Sequence, residues 1–168
     1  MWPKKSLKIL SGGQTGADQA ALDWAIKRDF PHGGWCPAGR RAEDGKINDR
    51  YQLSETPSPD YDERTEWNVR DSDATLIFSL AAELTGGSKL TQEFCIMHRK
   101  PCLHIHPKLN AVMLIREFLK RYPVKVLNIA GPRLSREPGI ADYVLSILDQ
   151  VFGIESAAKA GTHINVKY

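Results

Sequence analysis

The segment Ser11-Gly12-Gly13-Gln14-Thr15-Gly16-Ala17-Asp18 constrains this chain more than any other. It follows a short apolar run, Leu7-Lys8-Ile9-Leu10, and precedes an apolar-periodic stretch from Ala20 to Ile26. That order reads as strand, glycine-rich loop, helix. Glycines let a backbone come close to a ligand, and the free N–H groups that open a helix favour an anion. Gln14, Thr15 and Asp18 add side chains that donate or accept hydrogen bonds at the same point. The same residues also suit a tight turn with Thr15 or Asp18 as helix cap. The choice depends on whether other loops meet this one.

Along the chain, strands and helices alternate. The spacing predicts a helix from Gln14 to Arg28, broken at Phe30-Pro31-His32-Gly33-Gly34, and a second strand at Gly34-Trp35-Cys36. A loop from Pro37 to Gly45 opens some thirty mixed polar residues, a length that in compact domains is functional or mobile. Asp62 to Arg70 fits a short helix with Asp60 or Asp62 near its cap. The near-continuous apolar run from Ala74 to Ser79 suits a parallel strand covered on both faces. A third loop, Thr85-Gly86-Gly87-Ser88-Lys89, leads to a helix marked by Leu90, Phe94, Cys95 and Met97. Cys102 to His106 is the fourth strand, Leu109 to Leu119 the next helix, and Val124 to Ala130 the fifth strand. Gly131-Pro132-Arg133-Leu134-Ser135-Arg136 forms the fourth loop. A last helix carries Ile140, Val144, Leu148 and Val151 on one face and is capped by Gly153. The expectation is a single α/β Rossmann-like domain over residues 1–153, with about five parallel strands and helices on both faces, then a C-terminal tail over 154–168 in which Thr162 to Val166 form an extra strand. Right-handed crossovers bring the post-strand loops to one edge, where ligands of such sheets bind.

At 168 residues the chain fits one domain, and its 42% apolar and 26% charged residues are ordinary for a soluble globular protein. The net charge of +3, with no block of like charges, gives no sign of a nucleic-acid partner. No apolar run reaches the ~18 residues of a membrane span, and no secretory signal is visible. Three cysteines without CxxC spacing, Cys36, Cys95 and Cys102, indicate reduced thiols and a cytoplasmic setting.

The four loops pool glycine N–H donors, small hydroxyls (Ser11, Thr15, Thr85, Ser88) and cations (Arg40, Arg41, Lys89, Arg133, with Arg136 and Arg64 as further candidates). Dipoles, guanidinium groups and close backbone approach are what a phosphate or other oxyanion requires. Both the GxxxxGK[ST] phosphate loop and the GxGxxG fingerprint are missing, which ranks ATP hydrolysis and hydride transfer low. Candidate acid/base carboxylates are Asp18, Glu43, Asp44 and Glu93. Asp71 and Asp73 read as turn residues. Cys36, ahead of two arginines, is a candidate for a lowered pKa, although a buried cysteine is more often a small apolar residue. His104 and His106 alternate on one strand face, but no third ligand is placed beside them, so no metal site is assigned.

Five ordered segments then carry a likeness: Ser11 to Asp18, Gly34 to Gly45, Asn68 to Thr75, Thr85 to Ser88, and Ala130 to Arg133. Together they resemble the signature segments of the molybdenum carrier family, within the Rossmann-like superfamily that also holds lysine decarboxylase-like phosphoribohydrolases and the DNA-processing DprA proteins. The resemblance implies a homo-oligomer that binds molybdenum cofactor, a phosphate-bearing molybdopterin, and hands it to molybdoenzyme apo-proteins without turnover. That ligand suits the residues pooled from the loops, which give the anion-binding set Ser11, Gly12, Gly13, Gln14, Thr15, Gly16, Asp18, Arg40, Arg41, Thr85, Gly86, Gly87, Ser88, Lys89 and Arg133, with Trp35 or Tyr51 available to stack on the pterin. The phosphoribohydrolase relatives imply the alternative, cleavage of the N-glycosidic bond of a nucleoside monophosphate. Their PGGxGTxxE motif is matched by Gly86, Gly87 and Glu93 only, with Thr85, Lys89 and Leu90 in place of the proline, the third glycine and the threonine. A nucleotide-sensing module would need only the binding half of this set.

Overall fold

The computed structural model describes residues 6–152. Gly153 and the tail over 154–168, with the strand expected at Thr162 to Val166, lie outside the described residues. The strands are β1 (Lys8–Leu10), β2 (His32–Gly33), β3 (Trp35–Cys36), β4 (Arg41–Ala42), β5 (Gly45–Lys46), β6 (Ser54–Glu55), β7 (Ala74–Phe78), β8 (Cys102–Ile105) and β9 (Val126–Ala130). The helices are α1 (Ala17–Lys27), α2 (Tyr61–Arg70), α3 (Gly86–Met97), α4 (Ala111–Arg121) and α5 (Ile140–Val151).

Five strands form one parallel sheet in the order β2-β1-β9-β7-β8, with Leu10 beside Asn128 and Leu76 beside Ile129. This is the expected α/β Rossmann-like architecture. Its crossovers sort the helices. Right-handed connections running toward the β2 edge carry α1 and α4, and those running toward the β8 edge carry α2 and α3, so the two pairs occupy opposite faces. The packing agrees, since α1 and α4 both rest on α5 while α2 rests on α3. β7 is buried at every residue, which is why it reads as an unbroken apolar run. Leu76, Phe78, Leu127 and Ile129 join Ile9, Trp24, Ile115 and Leu148 in the main core, where a large aliphatic side chain contributes about 1.5–3 kcal/mol of burial.

The second sheet strand differs from expectation. His32–Gly33 pairs with β1, whereas Trp35–Cys36 turns away and pairs in parallel with β6. Gly34 makes the break at φ 132°, and a Cβ there would overlap the Ser11 carbonyl and lie 2.9 Å from Asn68 Oδ1. Asn68 then holds the displaced strand, accepting from Trp35 N at 2.8 Å and donating to Trp35 O at 2.9 Å.

The long polar connection is ordered by a small satellite core of Leu22, Cys36, Ile47 and Tyr51. Arg40 sits inside it, donating to the carbonyls of Ile47, Asn48, Tyr51 and Leu53. A further departure concerns the third loop. Gly86 to Lys89 are the first turn of α3, preceded by an extended Thr85, so only Ser79 to Thr85 remain as the connection after β7.

The Gly34→Ala variant should lose roughly 1–3 kcal/mol through strain and overpacking. Urea unfolding measures this, and an unchanged midpoint would contradict the account of the break.

Candidate functional site

At the carboxyl edge of the sheet lies a cavity of about 300 Å³, at the small end of the range for ligand sites. Its walls come from three post-strand segments and two helices. Gln14 and Asp18 follow β1, Ser79, Glu83, Leu84 and Thr85 follow β7, and Ala130 to Arg133 with Arg136 and Glu137 follow β9. α3 contributes Gly87, Ser88 and Thr91, and α2 contributes Arg64 and Thr65.

Asp18 forms the floor. It is buried, with Oδ2 accepting from Gln14 N at 3.2 Å and lying 3.4 Å from Arg64 Nη1. Burial pushes the Asp18 carboxyl above its usual range, and the Arg64 charge with the Gln14, Ser11 and Gly12 hydrogen bonds pulls it back. Arg64 reaches Asp18 by lying across Gly12, where any Cβ would overlap its guanidinium.

Two donors on this floor lack acceptors. Gln14 Oε1 accepts from Thr15 N at 3.0 Å and from Glu43 N at 2.8 Å, which turns its Nε2 away from both. Nε2 is buried and has no partner, and neither has Arg64 Nε. A buried donor left without an acceptor costs about 1–3 kcal/mol, so both groups favour an acceptor brought by a ligand. Opposite them, the N–H groups of Gly86, Gly87 and Ser88, which open α3, have no acceptor within their own helix, and the helix dipole makes that end positive. Arg136 stands over it, with Nη1 3.5 Å from where a Cβ of Gly86 would be. No ion-pair partner of Arg136 is found among the described residues. Two positive features side by side repel each other unless an anion sits between them.

The lining is not simply cationic, because Arg64, Arg133 and Arg136 are matched by Asp18, Glu83 and Glu137. Asp18 is held by Arg64, and Glu137 accepts from Leu80 N at 2.6 Å. Glu83 is exposed and makes no hydrogen bond or ion pair among the described residues, so it is open to a ligand's N–H groups.

Of the residues singled out from the sequence, Gln14, Asp18, Arg64, Thr85, Gly87, Ser88, Arg133 and Arg136 line the cavity. The others do not. Ser11 is buried at the end of β1, donating to Ile129 O at 2.6 Å. Gly12 lies beneath Arg64, Gly13 beneath Ile47 and Leu53, and Gly16 against Pro132. The glycine-rich loop thus admits the protein's own chain more than a ligand. Thr15 turns to Glu43, Arg40 is spent on carbonyls, and Gly86 lies under Arg136 outside the lining. Lys89 and Glu93 are on the exposed side of α3, and Arg41 is exposed outside the lining. Helical rotation explains α3: Ser88, Thr91 and Cys95 share the buried face, one that Lys89 and Glu93 miss.

The expected stacking rings are committed elsewhere. Trp35 packs edge-on to Trp67 and donates to Asp71 Oδ2 at 2.7 Å. Tyr51 is buried in the satellite core, with its hydroxyl pushed up to about 12 by burial. Burial likewise pushes the Cys36 thiol up, contrary to a reactive thiolate. His104 meets Ser79 Oγ at 2.6 Å, and no metal-ligating cluster of three occurs among the described residues. Glu83 and Glu137 line the site but sit in stretches with no motif. Their signal was only their position after or between core strands.

Glu43 locks the arrangement from behind. Its carboxylate accepts from Thr15 Oγ1, from Ser135 Oγ and, at 3.1 Å, from Ser135 N, and it lies 4.0 Å from Arg133 Nε. The hairpin of β4 and β5 therefore ties the loop after β1 to the loop after β9.

A model of the Circularly permutated YpsA SLOG family matches residues 9–152. The chain belongs to that family. A similar solved structure, described as "Putative molybdenum carrier protein" from Syntrophus aciditrophicus SB, is 48% identical, covers 89% of this chain and 96% of that one, and has a TM-score of 0.85. No curated protein matches the chain. Among the described residues of this family member, no helix is long and apolar enough to cross a membrane.

The hydrogen bonds from Ser135 and Thr15 hold the Glu43 carboxyl below the ordinary glutamate value. Its contribution to stability is therefore present above the unfolded-state pKa and is lost as pH falls through the folded-state one. E43Q should be less stable than wild type at neutral pH, with the gap closing as the pH is lowered into that range. Urea titrations at a series of pH values test this, and a gap that persists in acid would remove Glu43 as a charged clamp.

Proposed function

We propose that this protein carries molybdenum cofactor, a phosphate-bearing molybdopterin, in the cavity between α1, α2 and α3, and passes it to molybdoenzyme apo-proteins without chemical turnover. The observation that carries the reading is the buried, unpartnered Gln14 Nε2, which with Arg64 Nε and the first turn of α3 leaves donors on two walls of one cavity. An anionic ligand supplies the acceptors they lack.

The mixed lining favours a pterin over a simple oxyanion. A phosphate suits the α3 terminus and Arg136. The ring amino and N–H groups of a pterin are donors, and they suit the free carboxylate of Glu83. The relative from Syntrophus aciditrophicus, by its name a molybdenum carrier, supports the same reading. Because no aromatic side chain among the described residues lines the cavity, hydrogen bonds rather than stacking would hold the ring. The phosphoribohydrolase alternative finds less support, since Glu93, its acid/base, faces away from the lining.

Purified protein incubated with cofactor released from a molybdoenzyme should retain it through gel filtration and then reconstitute a cofactor-free nitrate reductase. Arg133→Ala should weaken retention by about 1.5–3 kcal/mol, the weight of a hydrogen bond to a charged group, and Gln14→Leu by about 1 kcal/mol. Glu93→Gln should leave retention unchanged. Failure to retain cofactor, together with release of free base from a nucleoside monophosphate that Glu93→Ala abolishes, would overturn the carrier reading in favour of the hydrolase.

A further inference from the structure

Three guanidinium groups converge on one aromatic ring at the cavity mouth. The Cζ atoms of Arg133, Arg64 and Arg41 lie 5.3, 5.5 and 5.9 Å from the ring centroid of Tyr61, the first residue of α2. They come from three separate parts of the chain: the loop after β9, the middle of α2, and the β4–β5 hairpin. Cation–π attraction orders such groups, yet it does not cancel their mutual repulsion.

Their countercharges are unevenly shared. Arg64 has Asp18 at 3.4 Å and Arg133 has Glu43 at 4.0 Å. Arg41 has no carboxylate within ion-pair distance among the described residues, and its Nη1 donates only to Pro59 O at 3.3 Å. One positive charge in the cluster is thus unmatched, and it lies on the open side. Arg64 and Arg133 also line the cavity, which makes the cluster continuous with it.

We infer that Arg41 and Arg133, ordered on the ring of Tyr61, form a second anion subsite at the cavity mouth that takes a further anionic group of the ligand held inside. This rests on the binding reading above and extends it: the ligand class becomes one with two separated anionic groups, one at the α3 terminus and one at the Tyr61 rim. Guanidinium groups suit the outer position because they bind phosphate oxygens in pairs while remaining partly hydrated. Tyr61 acts as a positioning residue, holding the cations in place by its ring and not through its hydroxyl.

Isothermal titration with inorganic phosphate, pyrophosphate and tripolyphosphate tests the subsite without any cofactor. Wild-type protein should bind tripolyphosphate at least tenfold more tightly than phosphate. R41A should erase that advantage by weakening tripolyphosphate far more than phosphate, Y61L should do the same, and Y61F should retain it. R121A is the control, since Arg121 also lies on a tyrosine ring, 5.6 Å from that of Tyr122, but on the far end of α4. The inference is overturned if tripolyphosphate binds no better than phosphate, if R41A weakens both ligands equally, or if R121A matches R41A. Cofactor retention measured on the same variants separates the two readings. Chain-length discrimination without cofactor retention would sink the carrier function and leave the subsite standing, and retention without discrimination would do the reverse.

Discussion

The buried pair of Asp18 and Arg64 is the interaction on which the site depends. It joins the first turn of α1 to the middle of α2 across the backbone of Gly12, and so connects the two faces of the sheet at its carboxyl edge. Taking two charges out of water is costly, and a pair of this kind rarely adds net stability. What it adds here is position. Asp18 also accepts from Gln14 N, and that contact, with the Gln14 side chain fixed by Thr15 and Glu43, decides which way the amide donor points.

From that floor the rest of the cavity follows as a problem of unmatched groups. Gln14 Nε2, Arg64 Nε, the opening turn of α3 and Arg136 all present positive or donor character, whereas Glu83 presents a free carboxylate. A lining with equal numbers of acids and bases would attract little from solution by net charge alone. Its selectivity lies in the arrangement, with donors gathered on the floor and around the helix terminus. A ligand with an anionic end and a donor-rich ring satisfies both halves, and a bare oxyanion satisfies one.

Much of the fold was legible in the sequence because burial imposes a pattern. The run at Ala74 to Phe78 reads as a covered parallel strand since every side chain in it is buried, and α4 and α5 show the period of half-buried helices. Trp35-Cys36 was misleading for a physical reason: apolar residues flanked by glycines look the same whether they extend the main sheet or a satellite ladder. Only the contact of Gly34 with Ser11 separates the two. The glycine-rich segment was legible as a place of close approach, but not as to what approaches.

Local chemistry along the chain therefore determined the order of elements, the parallel sheet and the edge at which its loops gather, because periodicity and crossover handedness act through neighbours in sequence. Which side chains face the cavity was decided only by tertiary packing. Arg64 reaches Asp18 across 46 positions, Ser135 reaches Glu43 across 92, and a rotation of α3 turns Ser88 and Thr91 inward while leaving Lys89 and Glu93 in solvent. Such contacts depend on distances that no spacing along the chain encodes, and they are what makes a glycine loop the wall of a binding site.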